Sequence, residues 1–148
     1  MTRTICTFVL AAAIVSPAAA WAQTSAPIFD MKGTWTGYNE GLVDGLATHH
    51  PADVANTPAG KYRIRRQNFT YKFDGQEGRL FWGTMGSEQQ KDIRILGTLS
   101  IDGKTVYMVS KEGYIDGTLI DVDTIESCYR HVNPQSAVIG CNLMKRQK

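Results

Sequence analysis

The sequence predicts an all-β protein: an up-and-down antiparallel β-barrel of about eight strands, behind an N-terminal signal peptide. Three observations predict it. Short runs of Val, Ile, Thr, Tyr, Phe and Trp alternate with turns that contain Gly, Asp or Asn. No stretch after residue 22 sustains a helical period. Asp102-Gly103 and Asn133-Pro134-Gln135-Ser136 are hairpin-turn signals that fix the pairing of the strands around them.

The first segment, 1–22, reads as the signal peptide. Arg3 supplies a positive start, a mostly apolar run follows, and Ala20-Trp21-Ala22 has the small-x-small form of a cleavage site. The apolar run falls short of the ~20 residues of a spanning helix, and no stop-transfer pattern follows. Cys6 does not stand at the cleavage site, so a lipid anchor there is not expected. The expected location is therefore periplasmic or extracellular, with no stable membrane anchor.

Removing residues 1–22 leaves 126 of 148, enough for one domain. The expected layout is a short arm over 23–30 and a single barrel domain over 31–148. Without Arg3 the chain carries fifteen Lys and Arg against fourteen Asp and Glu. Such a balance argues against a nucleic-acid binder, whose domains are usually strongly basic.

The strands then follow in order. The first is expected over 31–40. Residues 41–60, with His49-His50 among glycines and prolines, read as a long loop of the kind that is usually functional or disordered. The second strand is expected over 61–73, a turn over 74–78, and the third strand over 79–86. The fourth, over 93–101, turns at Asp102-Gly103. That turn places Leu99 opposite Val106 and Gly97 opposite Met108, and assigns Ile95, Leu99, Ile101, Val106 and Met108 to the core face. Further strands are expected over 105–111, 114–122, 125–131 and 137–146.

The last hairpin makes a covalent prediction. A turn centred between Pro134 and Gln135 places Cys128 directly opposite Cys141. In an oxidising compartment this pair is expected to form a disulfide. The same register puts Tyr129, Val138, Met144 and Arg146 on the face opposite the disulfide; if that face is interior, Arg146 points inward near the barrel's closure. Closure into a barrel would leave no free sheet edge.

Gly33-Thr34-Trp35 on the first strand, with Arg146 on the last, resembles the calycin group of lipocalins, avidins and their bacterial relatives. That resemblance implies that Trp35 packs against Arg146 across the barrel floor, giving Gly33, Trp35 and Arg146 structural roles. Gly113-Tyr114, Asp116-Gly117-Thr118-Leu119 and Glu126-Ser127-Cys128-Tyr129 are also similar to a group of small uncharacterised bacterial secreted proteins, which implies no activity. The helix that lipocalins place before their last strand has no counterpart here, and the size is nearer that of avidin. Only Trp35 and Trp82 follow the signal peptide, so the tryptophan-lined biotin pocket of avidins is not expected.

Candidate site residues follow from side-chain chemistry. Trp82, Tyr71, Leu99 and Met108 are candidates for an apolar pocket; core packing is their ordinary alternative. His49 and His50 could act as acid and base or bind metal, but adjacent rings rarely reach one ion. A solvated loop pair is the plainer reading. Arg63 and Arg65 share a strand face with Phe69, Tyr71 and Phe73 and could hold a carboxylate by forked hydrogen bonds. The acidic run Glu112, Asp116, Asp121, Asp123 and Glu126 lacks the glycine-anchored spacing of a calcium loop. No metal site, cofactor or nucleophilic triad is expected.

The function these residues support best is non-enzymatic binding of a small apolar or amphipathic molecule. Two other readings stand beside it. One is a protein-binding or inhibitor module with a filled barrel, whose partner is a secreted protein. The other is a barrel enzyme of the isomerase or cyclase type, using His49 or His50.

Overall fold

The computed structural model describes residues 27–45, 62–88, 92–134 and 136–148. Eight strands form: β1 Gly33–Gly45, β2 Tyr62–Glu77, β3 Leu80–Ser87, β4 Ile93–Leu99, β5 Thr105–Ser110, β6 Gly113–Asp121, β7 Thr124–Asn133 and β8 Ser136–Arg146. Each pairs antiparallel with the next, and β1 pairs with β8 to close the barrel. The predicted class and strand order hold.

Alternation along the strands sorts side chains between the inside and the outside. In the half of the barrel nearer Met31 and Arg146 the inward positions are apolar. Trp35, Phe73, Phe81, Ile95, Leu99, Val106, Met108, Ile125 and Met144 are buried there, with Met31 entering from the arm. Phe73 meets Phe81 edge-on at 4.9 Å between ring centres, a favoured aromatic geometry.

Arg146 closes this end. Its guanidinium lies 4.1 Å from the centre of the Trp35 ring, close enough for a cation–π contact. It donates to the backbone carbonyls of Lys32 and Asp30, and its Nε lies 3.4 Å from Asp123 Oδ1. Trp35 Nε1 donates to the Met31 carbonyl at 3.0 Å, and Gln76 ties Met31 and Phe29 to β2. The Arg146 guanidinium approaches Gly33 closely, and Gly33 adopts φ 116°, which a side chain would strain. The Trp–Arg floor expected from the sequence is present.

Both hairpin registers hold. Leu99 faces Val106 and Gly97 faces Met108. Cys128 faces Cys141 and the two are bridged, with Cα atoms 4.0 Å apart.

Three expectations need correction. Residues 41–45 continue β1 and do not start a loop, because Gly41 and Val43 keep the inward alternation and pair with both β2 and β8. Strand β2 runs on to Glu77 through a bulge between Phe73 and Gly75, so the turn shrinks to Gly78 and Arg79. Ile101 is not core: it is 92% exposed. Pairing stops at Leu99–Val106, where Ser100 and Asp102 hydrogen-bond to Lys104 and Thr105 and hold a wider turn.

Candidate functional site

The half of the barrel farther from Met31 and Arg146 has a different interior. Its inward positions include Asn39, Gln67, Tyr129 and Asn142 beside Phe69, Met85, Ile93 and Ile115, and they surround a cavity of about 50 Å³. Gly41 and Gly140 sit opposite each other on β1 and β8, and the Asn39 amide lies against the pair where their side chains would otherwise stand.

Tyr71 and Asn142, which line the cavity, are joined through Ser127 in a buried polar chain. Ser127 Oγ donates to Asn142 Oδ1, and Tyr71 Oη lies 3.4 Å from Ser127 Oγ. Ser127 and Asn142 face each other on β7 and β8, one residue before Cys128 and one after Cys141. The disulfide therefore pins the outside of the wall at the same level. Burial pushes the Tyr71 hydroxyl above its ordinary pKa, and its hydrogen bonds to Ser127 and Asn142 oppose that only in part. Tyr71 thus stays protonated at neutral pH, able to donate.

Higher up, Tyr129 Oη donates to the Glu112 carbonyl at 2.9 Å. Burial, with the Glu112 carboxylate nearby, raises the Tyr129 pKa as well. His131 Nδ1 lies 2.7 Å from the same carbonyl, and Asn133 and Ser136 contact its Nε2 at the hairpin tip. Gln67 Oε1 is buried beside the cavity with no hydrogen-bond partner among the described residues. An unmatched buried carbonyl costs ~1–3 kcal/mol, so it calls for an occupant that donates.

The candidates from the sequence separate clearly. Tyr71 and Arg65 line the cavity. Arg63 lies on the inward face of β2, opposite Val43 near the rim. Leu99 and Met108 belong to the apolar core below. Trp82 faces outward and is 44% exposed, lying over Gly75, where a Cβ would come within 2.4 Å of its ring. Adjacent strand residues face opposite sides, so with Phe81 inside, Trp82 must be outside. His49 and His50 lie outside the described residues. Among the described residues no three His, Cys, Asp or Glu side chains gather where they could hold a metal. Of the acidic run, Asp116 pairs with Arg130 and Asp121 accepts from the Asp123 amide in a turn.

Sequence reasoning missed Asn39, Gln67 and Asn142. Each has the parity of an inward residue, since Asn39 follows Trp35 by four and Asn142 precedes Met144 by two. That parity was the available signal.

No protein-family model matches this chain, and no curated protein matches it. Among solved structures, the S-type phycobiliprotein lyase CPES from Guillardia theta is similar over 80% of this chain and 89% of its own. The identity is 8% and the TM-score 0.33, a likeness too loose to carry a function. What the fold and site define is an eight-stranded antiparallel barrel with a closed apolar floor and, above it, a small cavity of mixed apolar and polar lining.

Proposed function

We propose that this chain is a secreted, calycin-like barrel that binds a small amphipathic molecule in the half above the Trp35–Arg146 floor, without chemical turnover. The signal-like segment 1–22 supports export to the periplasm or medium. The Trp35–Arg146 stack supports the calycin-like reading.

One observation carries the binding proposal: Gln67 Oε1 has no partner among the described residues and lies beside a cavity whose other wall is apolar. A ligand with a hydroxyl or amide donor would satisfy it, while Phe69, Met85, Ile93 and Ile115 cover the apolar part. Size limits the ligand. Pockets for drug-sized molecules measure ~300–1,000 Å³, and about 50 Å³ accepts only a few heavy atoms or one end of a longer molecule. The same small volume favours the second reading, a filled barrel that works through its surface.

Titration of the isotopically labelled protein with short primary alcohols and their methyl ethers separates the two. Alcohols are expected to shift amide resonances of Gln67, Ile115 and Asn142, and to bind about 3–10-fold more tightly than the ethers, the worth of one hydrogen bond. Gln67→Leu should remove that preference. Unmoved interior resonances, or equal binding of ether and alcohol, contradict the proposal.

A further inference from the structure

The outer wall carries a feature that the cavity does not use. Trp82, Leu96, Val109 and Tyr114 are register partners across β3, β4, β5 and β6, and all four are exposed. Leu80 and Tyr107 extend the same face toward the floor, with Thr98 between them, and are exposed as well. Four neighbouring strands span ~14 Å at the usual spacing. Strands of such barrels tilt ~35–45° to the axis. A row across them therefore runs obliquely and curls only part of the way round, so one flat surface can reach all four residues.

Charge says what kind of surface. Arg94 and Lys111 line one shallow groove together with Trp82, Leu96 and Val109. Neither cation has an ion-pair partner among the described residues. No acidic side chain lines this groove. Of other acidic side chains, Asp116 is held by Arg130, and Asp92 lines a separate groove with Lys72. Glu112, next to Lys111, is buried on the other side of the wall and borders a second groove with Lys111, Tyr114, Arg130 and His131. The face is thus apolar and aromatic along its middle and cationic along its rim-side edge. Trp and Tyr with adjacent Lys and Arg suit the boundary between headgroups and acyl chains, where rings bury their apolar parts and cations meet phosphates.

We propose that the β3–β6 face docks reversibly on an anionic lipid surface, with Trp82, Leu96, Val109 and Tyr114 entering the headgroup boundary and Arg94 and Lys111 engaging lipid phosphates. This is independent of the cavity: its residues are outward, and a failed ligand titration would leave it standing.

Co-sedimentation with vesicles tests it, using the protein in its native processed form. Vesicles of equal parts phosphatidylglycerol and phosphatidylcholine are compared with phosphatidylcholine alone. Binding is expected to the anionic vesicles only and to fall with added salt as screening tightens. Arg94→Glu and Lys111→Glu should each weaken it about fivefold or more. The pair Trp82→Ser and Leu96→Ser should weaken it at least tenfold. These positions are exposed, and circular dichroism would verify that the variants remain folded. Equal binding to both vesicle types, no binding at all, or variants that bind like the parent would overturn the proposal. A dimer seen by sedimentation velocity that Trp82→Ser dissolves would overturn it too, assigning the face to a second copy of this chain.

Discussion

Trp35→Ala is expected to destabilise the barrel by about 3–5 kcal/mol, the range for removing a large aromatic from a packed core. Trp35 is fully buried between the arm and Arg146, and three separate attachments depend on it. Its ring carries the Arg146 guanidinium, its Nε1 holds the Met31 carbonyl, and Phe29 packs beside it at 6.5 Å. Alanine leaves a void beneath a cation that cannot follow, so the cost includes partial loss of the arm. Small domains are stable by only ~5–15 kcal/mol, so this one change takes a large share. Urea unfolding monitored by circular dichroism gives the value. Should the alanine variant not fold, Trp35→Phe keeps a ring and should cost less. Arg146→Gln paired with Trp35→Phe forms a double-mutant cycle, expected to show coupling of about 0.5–2 kcal/mol. A loss below about 1 kcal/mol for Trp35→Ala would mean that the floor does not hold the barrel shut.

Replacing Cys128 and Cys141 together by serine is expected to cost about 2–3 kcal/mol, near the chain-entropy value for a loop of this length. The bridge spans a sequence separation of 13 and joins strands that pair from Thr124–Lys145 to Asn133–Ser136. It lies on the outer wall, so the variant loses little packing, and most of the cost reflects the freer unfolded chain. Reduction of the parent protein should lower the urea midpoint by the same amount as the double variant. The effect should also reach the cavity, because Asn142 lines it, follows Cys141 and is bonded to Ser127 beside Cys128. An unchanged midpoint after verified reduction would show that the pairing of β7 and β8 needs no bridge.

The fold was legible for a local reason. Period-two alternation survives in nearly every strand, and the turns around Asp102-Gly103 and Asn133-Pro134 are centred where counting puts them, although the first is wider than two residues. Cys128 and Cys141 then fall opposite each other without any knowledge of the remaining chain. Errors arose where a turn signal was stronger than the structure. Gly41 and Gly45 suggested a loop, yet inside a barrel glycine is also how a wall is kept thin. Asp74-Gly75 suggested a turn, yet it forms a bulge beneath Trp82.

The site was far less legible. Its walls come from strands that are distant in sequence, and its polar members look like ordinary surface residues. Asn39, Gln67 and Asn142 differ from outward Asn68 only by parity, and parity gives the side of the wall but not the height at which packing gives way to a cavity. Aromatic character does not separate the two sides of the wall: Trp82 faces outward, while Phe69, Tyr71 and Tyr129 line the cavity. Tyr71, named with Trp82 for an apolar pocket, lies on the inward face of β2 with Arg65, and both line the cavity.

The most direct measurement for the central claim is native mass spectrometry of the protein purified from its own compartment under gentle conditions. The barrel with an occupied upper half predicts a population heavier than the processed, disulfide-bonded chain by one small molecule. It predicts that Val138→Phe, which fills the cavity beside Gly140, diminishes that population. A parent protein that shows only the bare mass, with a spectrum unchanged by Val138→Phe, would contradict the claim and leave the outer face as the working surface.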